Sequence, residues 1–142
     1  MTSIRLIEVT DPSVFRPPAA ATDLGSRAWQ SVPVIRAYDA LTIGLEELPI
    51  ATDDIRAGTP TAGVVTLVDD LAVEIGVWEL TEGTVVDTEV DEVFVVVAGT
   101  GSVIFSDGEP VDLRPGVVVR LRAGERTTWT ITETLRKVWI AG

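Results

Sequence analysis

The chain of 142 residues contains no cysteine and no histidine. This double absence excludes thiolate nucleophiles, zinc sites built from Cys and His, Ser-His-Asp triads and imidazole general bases. A domain of this length can be stabilised by a single hydrophobic core without disulfides or a structural metal. Any chemistry therefore depends on carboxylates, hydroxyls, ten arginines, one lysine, one tyrosine and four tryptophans.

Positive charge is also scarce. The chain has 11 basic against 22 acidic residues, a formal net charge of -11. A polyanion of this kind repels nucleic acid unless its positive charge is clustered. Residues 114–137 do hold six basic side chains, but we interpret them as solvated strand faces. We therefore expect no nucleic-acid partner.

Long apolar segments are missing as well. The longest uncharged run, residues 93–106, is too short to span a bilayer and is interrupted by Gly99 and Gly101. Arg5 and Glu8 lie where an export signal would have to be apolar. We expect a cytoplasmic protein with no membrane partner.

What is abundant is β-branched: 22 Val, 10 Ile and 17 Thr. Strand-like runs separated by turn signals, at spacings near ten residues, favour an all-β sandwich or barrel. We predict a hairpin that turns at Gly99–Gly101. The predicted strands cover residues 71–80, 92–98, 102–106, 111–113, 117–121, 126–132 and 135–140.

The first part of the chain lacks this spacing. Residues 11–26 are rich in Pro and Ala, which predicts an extended arm. Residues 4–9 and 32–38 read as single strands that add to a sheet edge, in the same chain or in a dimer mate. We therefore divide the chain into an N-terminal extension with extra strands over residues 1–47 and a barrel over residues 48–142.

Two spacings resemble the cupin motifs. Glu92, six residues and then Gly99 resemble the end of the first motif, E-x6-G. The second motif, G-x5-P-x-G-x2-H-x3-N, is matched in changed form by Gly116, Arg122, Gly124, Thr127 and Ile131. The first-motif histidine positions fall at Val86 and Thr88, or at Val85 and Asp87. Thr127 stands at the histidine of the second motif.

The resemblance is sharper to one branch, the small cupins related to ethanolamine-utilisation protein Q and to ureidoglycine aminohydrolase. The order and spacing of several short strings over about residues 55–140 carry it, since no string is specific alone. The matching strings are Gly76–Glu79, Thr81–Thr84, Asp91–Val93, Gly124–Trp129 and Thr134–Val138.

This resemblance implies a cupin-type double-stranded β-helix, a jelly-roll barrel of two antiparallel sheets with a small pocket at its open end. The branch's enzymes place a carboxylate at the position of Glu92 as a metal ligand beside histidines. Because every histidine is missing here, we expect no metal and no cofactor. Strand alternation puts Glu92 on one face with Phe94 and Val96. The resemblance implies that this face is inward, which would point the carboxyl into a mostly apolar cavity. Such a group becomes neutral or is kept ionised by a cation or by donors.

We therefore single out Glu92 as the candidate catalytic acid or base. Its candidate ligand-binding neighbours are Trp78, Thr88, Thr127 and Trp129. The structural alternatives are that Glu92 pairs with Arg or Lys at the barrel mouth and that the tryptophans are core residues.

Other charged side chains look structural. We expect Lys137, on the same strand face as Leu135 and Trp139, to turn its ammonium to solvent. Asp87, Glu89 and Asp91 are expected to be solvated carboxylates.

Three functions remain open. The first is a metal-free cupin that binds a small polar or carboxylated metabolite. The second is a metal-independent isomerase, lyase or hydrolase that uses Glu92 as acid or base. The third is a non-catalytic accessory or interaction protein. A homodimer is expected in each case, from the exposed sheet edges and the habit of cupins to pack in pairs.

Overall fold

The computed structural model describes residues 35–142, which contain nine strands and one 3₁₀ turn. The all-β prediction is confirmed. The 3₁₀ turn covers Thr52–Asp54. The strands are β1 (Glu46–Leu48), β2 (Ile55–Ala57), β3 (Ala62–Val68), β4 (Glu74–Leu80), β5 (Gly83–Thr88), β6 (Glu92–Phe105), β7 (Pro110–Leu113), β8 (Val118–Leu121) and β9 (Arg126–Ala141).

Two long strands, β6 and β9, run through both sheets of a jelly-roll barrel. The first half of β6 and the second half of β9 belong to one antiparallel sheet, in the order β1-β3-β4-β9-β6-β8. Their other halves belong to the second sheet, in the order β2-β5-β9-β6-β7. The shared strands join the two sheets and enclose the interior between them.

The predicted hairpin at Gly99–Gly101 is wrong, because β6 continues through it as one strand. Three register shifts against β9 fall between Val96 and Gly101. Gly99 has φ +85°, a conformation that suits glycine, and the strand bends there without reversing. The chain reverses after Phe105 instead, where the Gly108 amide donates to the Phe105 carbonyl at 2.9 Å. The two strands predicted over 126–132 and 135–140 are likewise one strand, β9.

Alternation along β9 places its odd-numbered residues in the interior. Thr127, Trp129 and Ile131 are buried before the bend at residues 132–134, which is exposed. Leu135, Lys137 and Trp139 are buried after it. The hydrophobic core cluster contains Trp129, Ile131, Leu135 and Trp139 of this strand, together with Leu48, Trp78, Leu80, Val85, Phe94, Val96, Val103, Leu113, Val119 and Leu121.

The segment before the barrel is only partly described. Residues 35–38 do not form the strand predicted over 32–38, and the strand predicted over 4–9 lies outside the described residues. Arg136 anchors the segment that leads into β1, since its Nη1 donates to the carbonyls of Ala40 at 3.1 Å and Ile43 at 3.0 Å. Across residues 35–142, no helix has the length and apolar character needed to cross a membrane.

Candidate functional site

A buried ion pair lies inside the barrel. Lys137 on β9 donates from its Nζ to Oε2 of Glu92 on β6, at 3.1 Å. Lys137 is 4% exposed and Glu92 is 3% exposed. Their strands are neighbours, and the register sets Lys137 opposite Val96 on β6 and opposite Trp78 on β4. The pair therefore joins two adjacent strands through their inward-facing side chains.

Three aromatic rings surround the ammonium. The Lys137 Nζ lies 4.3 Å from the ring centroid of Phe94, 4.6 Å from that of Trp78 and 5.0 Å from that of Trp129. The Trp129 centroid is 5.5 Å from each of the other two. At these distances the negative ring faces attract a cation. We refer to Trp78, Phe94 and Trp129 as the aromatic cage.

The expectation that Lys137 reaches solvent is therefore wrong. A lysine on a strand face usually extends to water, but Lys137 points into the interior of the barrel, where Glu92 and the aromatic cage replace its solvation. The signal for this was present in the sequence, because the chain's only lysine shares its alternation with Trp129, Leu135 and Trp139. Its partner Glu92, however, lies 45 residues earlier in the chain, so the sequence pattern around Lys137 does not reveal it.

Burial dominates the titration of Glu92. Loss of water around the carboxylate raises the pKa of Glu92 above its ordinary value of 4.5. The charge of Lys137 and its hydrogen bond lower the pKa, but they do not offset the burial, and the nearby Glu89 raises it further. Glu92 is thus an acidic side chain whose proton affinity is increased inside the fold.

Glu89 is a second buried acidic side chain beside this pair. Its Oε1 accepts hydrogen bonds from Thr127 Oγ1 at 2.6 Å and from Trp129 Nε1 at 3.0 Å. The indole N–H of Trp129 also lies 3.0 Å from Thr127 Oγ1. Glu89 therefore orients one wall of the aromatic cage.

The prediction of three solvated carboxylates is wrong for two of them. Glu89 is 7% exposed and Asp87 is 3% exposed. Asp91 alone is at the surface, where Arg120 Nη2 contacts its Oδ1 at 3.3 Å. Alternation along β5 explains the burial of Asp87, which shares the inward face with Val85 and lies opposite Thr127 in the register.

The structure brings four of the five predicted site residues together. Glu92, Trp78 and Trp129 surround Lys137, and Thr127 joins them through Glu89. Thr88 lies apart, because its hydroxyl accepts from Arg126 Nη1 at 3.0 Å in an exposed contact. Asp87, one residue earlier, takes the buried position on β5.

Hydrogen bonds join the connection between β5 and β6 to the turn between β8 and β9. The Glu89 amide donates to the Glu125 carbonyl at 2.8 Å, and the Gly124 amide donates to the Glu89 carbonyl at 2.9 Å. The Ala123 amide donates to Asp91 Oδ1 at 3.1 Å. These bonds fix the turn before β9 against the connection between β5 and β6, and so place Glu89 and Glu92.

Two buried polar atoms of the site have no hydrogen-bond partner within residues 35–142. They are Oε1 of Glu92 and the indole Nε1 of Trp78. A buried polar atom without a partner costs free energy comparable to a lost hydrogen bond. The site thus holds one donor and one acceptor that a bound molecule could satisfy.

The residues present do not fit the metal ion that the cupin resemblance implies. Within the described part of the chain, no three Asp, Glu, His or Cys side chains are grouped so as to hold a metal. The Lys137 ammonium is already beside the Glu92 carboxyl, and it would repel a second cation placed there.

Comparison with known proteins identifies the family. The family model described as the EutQ-like cupin domain matches residues 68–139, half of the chain. The chain belongs to the EutQ-like cupin domain family. This confirms the resemblance stated from the sequence. A search of curated protein sequences finds no match.

Solved structures support the cupin fold. The Clostridium difficile EutQ protein superposes with a TM-score of 0.51 at 21% identity, covering 58% of this cupin and 62% of the EutQ chain. A Pseudomonas syringae pv. tomato protein of unknown function gives a TM-score of 0.64 at 21% identity, over 73% of this chain and 46% of that one. Ectoine synthase from P. lautus gives 0.51 at 21% identity, over 62% and 67%. At these identities the comparison supports the fold, and this cupin spans less than two thirds of the first two proteins.

Proposed function

We propose that this cupin binds a small polar or carboxylated metabolite inside its barrel without a metal ion. The buried Lys137–Glu92 pair carries the proposal. Burying two charges costs several kcal/mol of desolvation per ion, and apolar side chains of similar volume often serve stability as well or better. Charged groups held inside a barrel are typical of a binding or catalytic site.

The donors at the site favour a carboxylate ligand. An ammonium has three N–H donors, and within residues 35–142 Glu92 is the one hydrogen-bond acceptor of Lys137. The Trp78 ring lies beside that ammonium, and its indole N–H is unpartnered there as well. A carboxylate can accept from both, with a charge-assisted hydrogen bond to the ammonium. The aromatic cage offers apolar contact to the rest of a small molecule.

A second candidate function is a metal-independent enzyme of the isomerase, lyase or hydrolase type. It is favoured by Glu92, whose pKa is raised by burial and whose Oε1 lacks a partner within residues 35–142. A carboxyl whose pKa is raised by burial can act as a general acid or base. Ectoine synthase, among the similar structures, is an enzyme by its description, which supports this candidate by analogy alone.

The binding proposal is tested with matched ligands and matched tryptophan variants. We expect lactate and glycolate to raise the melting temperature, and their uncharged amides to leave it unchanged, because preferential binding to the folded state stabilises it. Trp78→Phe keeps a ring and removes the unpartnered donor. We expect it to weaken lactate binding about 5-fold, the equivalent of one hydrogen bond of about 1 kcal/mol, by titration calorimetry.

Trp129→Phe is the matched control. The Trp129 N–H already donates to Glu89 and Thr127, so its loss should lower stability while lactate affinity falls less than in Trp78→Phe. Equal shifts by acid and amide, or equal affinity losses in the two variants, would contradict the carboxylate site. If no small acid binds at all, the accessory-protein function replaces the proposal.

We also propose that the protein is a homodimer. The outward face of the sheet carries Val118 and Ile140, which are 65% and 40% exposed. Val95 lies opposite Val118 and Val138 in the register, and Val95 and Val138 are half-buried. We call these four residues the apolar outer face. An exposed apolar surface on a sheet is typical of an association surface, and two copies of one face pair by a two-fold axis.

A further inference from the structure

Lys137 is the only lysine of the chain, and it is a buried amine with a proton acceptor in contact. We propose that Lys137 forms a reversible imine with the carbonyl carbon of a small 2-oxo acid bound in the barrel. The inference rests on the proposed function and narrows its ligand class. A 2-oxo acid has a carbonyl group for the amine and a carboxylate for the unpartnered indole N–H of Trp78.

The geometry provides the first proton transfer. The Lys137 ammonium is 3.1 Å from Glu92 Oε2, within direct hydrogen-bond distance. Transfer of one proton to Glu92 leaves a neutral amine beside a neutral carboxyl, which removes two buried charges at once. The raised pKa of Glu92 favours this transfer. An amine desolvated in an apolar site is the form in which lysine attacks carbonyl groups.

The remaining steps balance without an oxidant or a further reactant. The amine lone pair forms a C–N bond to the carbonyl carbon, and the carbonyl oxygen takes a proton from the attacking nitrogen to give a neutral carbinolamine. Loss of that hydroxyl as water, with the proton returned by Glu92, leaves a protonated imine. In total, one ammonium and one carbonyl give one protonated imine and one water.

The aromatic cage suits both ends of this reaction. The positive charge stays on the Lys137 nitrogen, which is ammonium before the reaction and iminium after it. Ring faces whose centroids lie 4.3 to 5.0 Å from that nitrogen attract either cation. The cage therefore stabilises the product as it does the resting state.

Reductive trapping tests the proposal on the whole protein. We expect pyruvate or glyoxylate with cyanoborohydride to convert Lys137 to its N-alkyl derivative, located by peptide mass spectrometry. The α-amine of the chain is the one other primary amine and serves as an internal reference. Lys137 should be labelled at least 10-fold faster than free N-acetyl-lysine, and the excess should vanish in urea.

Two variants assign the roles. Lys137→Arg keeps a cation but cannot form an imine, so labelling should be confined to the α-amine. Glu92→Gln removes the proton acceptor and should slow the labelling of Lys137 by about 100-fold. Should Lys137→Arg fail to fold, lactate competition in the parent replaces it, since bound lactate should slow labelling of Lys137 and not of the α-amine.

The outcomes separate this inference from the proposed function. If lactate stabilises the protein but pyruvate labels Lys137 no faster than free lysine, the imine is excluded and the binding site stands. If neither acid stabilises the protein and Lys137 is not labelled, both proposals fail.

Discussion

At the scale of single residues, the Lys137–Glu92 pair combines a large cost with several partial compensations. Removing both groups from water costs several kcal/mol per ion. Their hydrogen bond at 3.1 Å and three ring faces around the ammonium offset part of that cost, with about 2 kcal/mol per desolvated cation–π contact. Each partner is therefore tolerated in the interior largely because the other is present.

A double-mutant cycle measures this dependence. We expect Lys137→Met and Glu92→Leu each to lower the free energy of unfolding by about 3–5 kcal/mol, because each leaves an uncompensated buried charge. The double variant should lose less than the sum of the two, since apolar side chains then replace the pair. Urea denaturation of the four proteins checks this, and strictly additive losses would show that the two residues do not stabilise each other.

The stability of the Lys137→Met variant should depend on pH, and the sign follows from the pKa of Glu92. Without Lys137, burial raises the pKa of Glu92 with no cation to lower it. A pKa raised on folding stabilises the protein below the unfolded value of 4.5, and that stability is lost as the pH rises through the folded pKa. Lys137→Met should therefore lose stability as the pH rises above 4.5, relative to the double variant.

The sequence predicts whether a side chain is buried when strand alternation sets its position. It fails when burial depends on a partner far away in the chain. Alternation puts Glu92 on the face of Phe94 and Val96, the cupin motif implies that this face is inward, and all three residues are buried. The burial of Lys137 depends on an acid 45 residues away, on a different strand. No local pattern contains that pairing, so the general tendency of lysine to reach water gave the wrong result.

At the scale of elements, the bend in β6 is the feature that lets one strand serve two sheets. Before the bend, Phe94 faces Trp139 in one sheet, and after it Val103 faces Trp129 in the other. At the bend, β6 passes so close to β9 that a side chain on Gly99 would overlap the Thr134 carbonyl. Glycine is needed here for space as well as for its positive φ.

Substitution at this bend has a matched control within the chain. Gly99 and Gly108 have φ values of +85° and +87°, but no atom lies within 4 Å of a Cβ built on Gly108. We expect Gly108→Ala to cost about 1 kcal/mol from backbone strain alone. Gly99→Ala should cost at least about 2 kcal/mol more, because the backbone of β9 must move. Equal losses in urea denaturation would mean that the approach of the two strands is not tight.

The bend also shows why element boundaries were harder to predict than elements. The strand character of 92–98 and 102–106 was evident from their apolar and β-branched residues, and β6 covers both segments up to Phe105. Gly99-Thr100-Gly101 has the composition of a turn, and composition does not distinguish a reversal from a bulge. The choice is made by β9, which pairs with β6 on both sides of the glycines.

At the scale of the whole molecule, the barrel divides into a charged interior site and an apolar exterior sheet. The aromatic cage and the ion pair face inward from β4, β6 and β9. The opposite side of the same sheet carries the apolar outer face. A net charge of -11 repels other copies at long range, so association needs a local apolar contact of this kind.

Self-association through the apolar outer face is tested by one substitution with an equally exposed control. Val118 on β8 is 65% exposed, and Leu71, in the connection between β3 and β4, is 64% exposed. An aspartate at an exposed position changes stability by less than about 0.5 kcal/mol, so both variants should fold. In a two-fold dimer Val118→Asp places a charge on each side of one apolar contact, which raises the dissociation constant, whereas Leu71→Asp leaves it unchanged. We expect light scattering across a dilution series to find the parent and Leu71→Asp dimeric and Val118→Asp monomeric, and a monomeric parent at high concentration would refute the dimer.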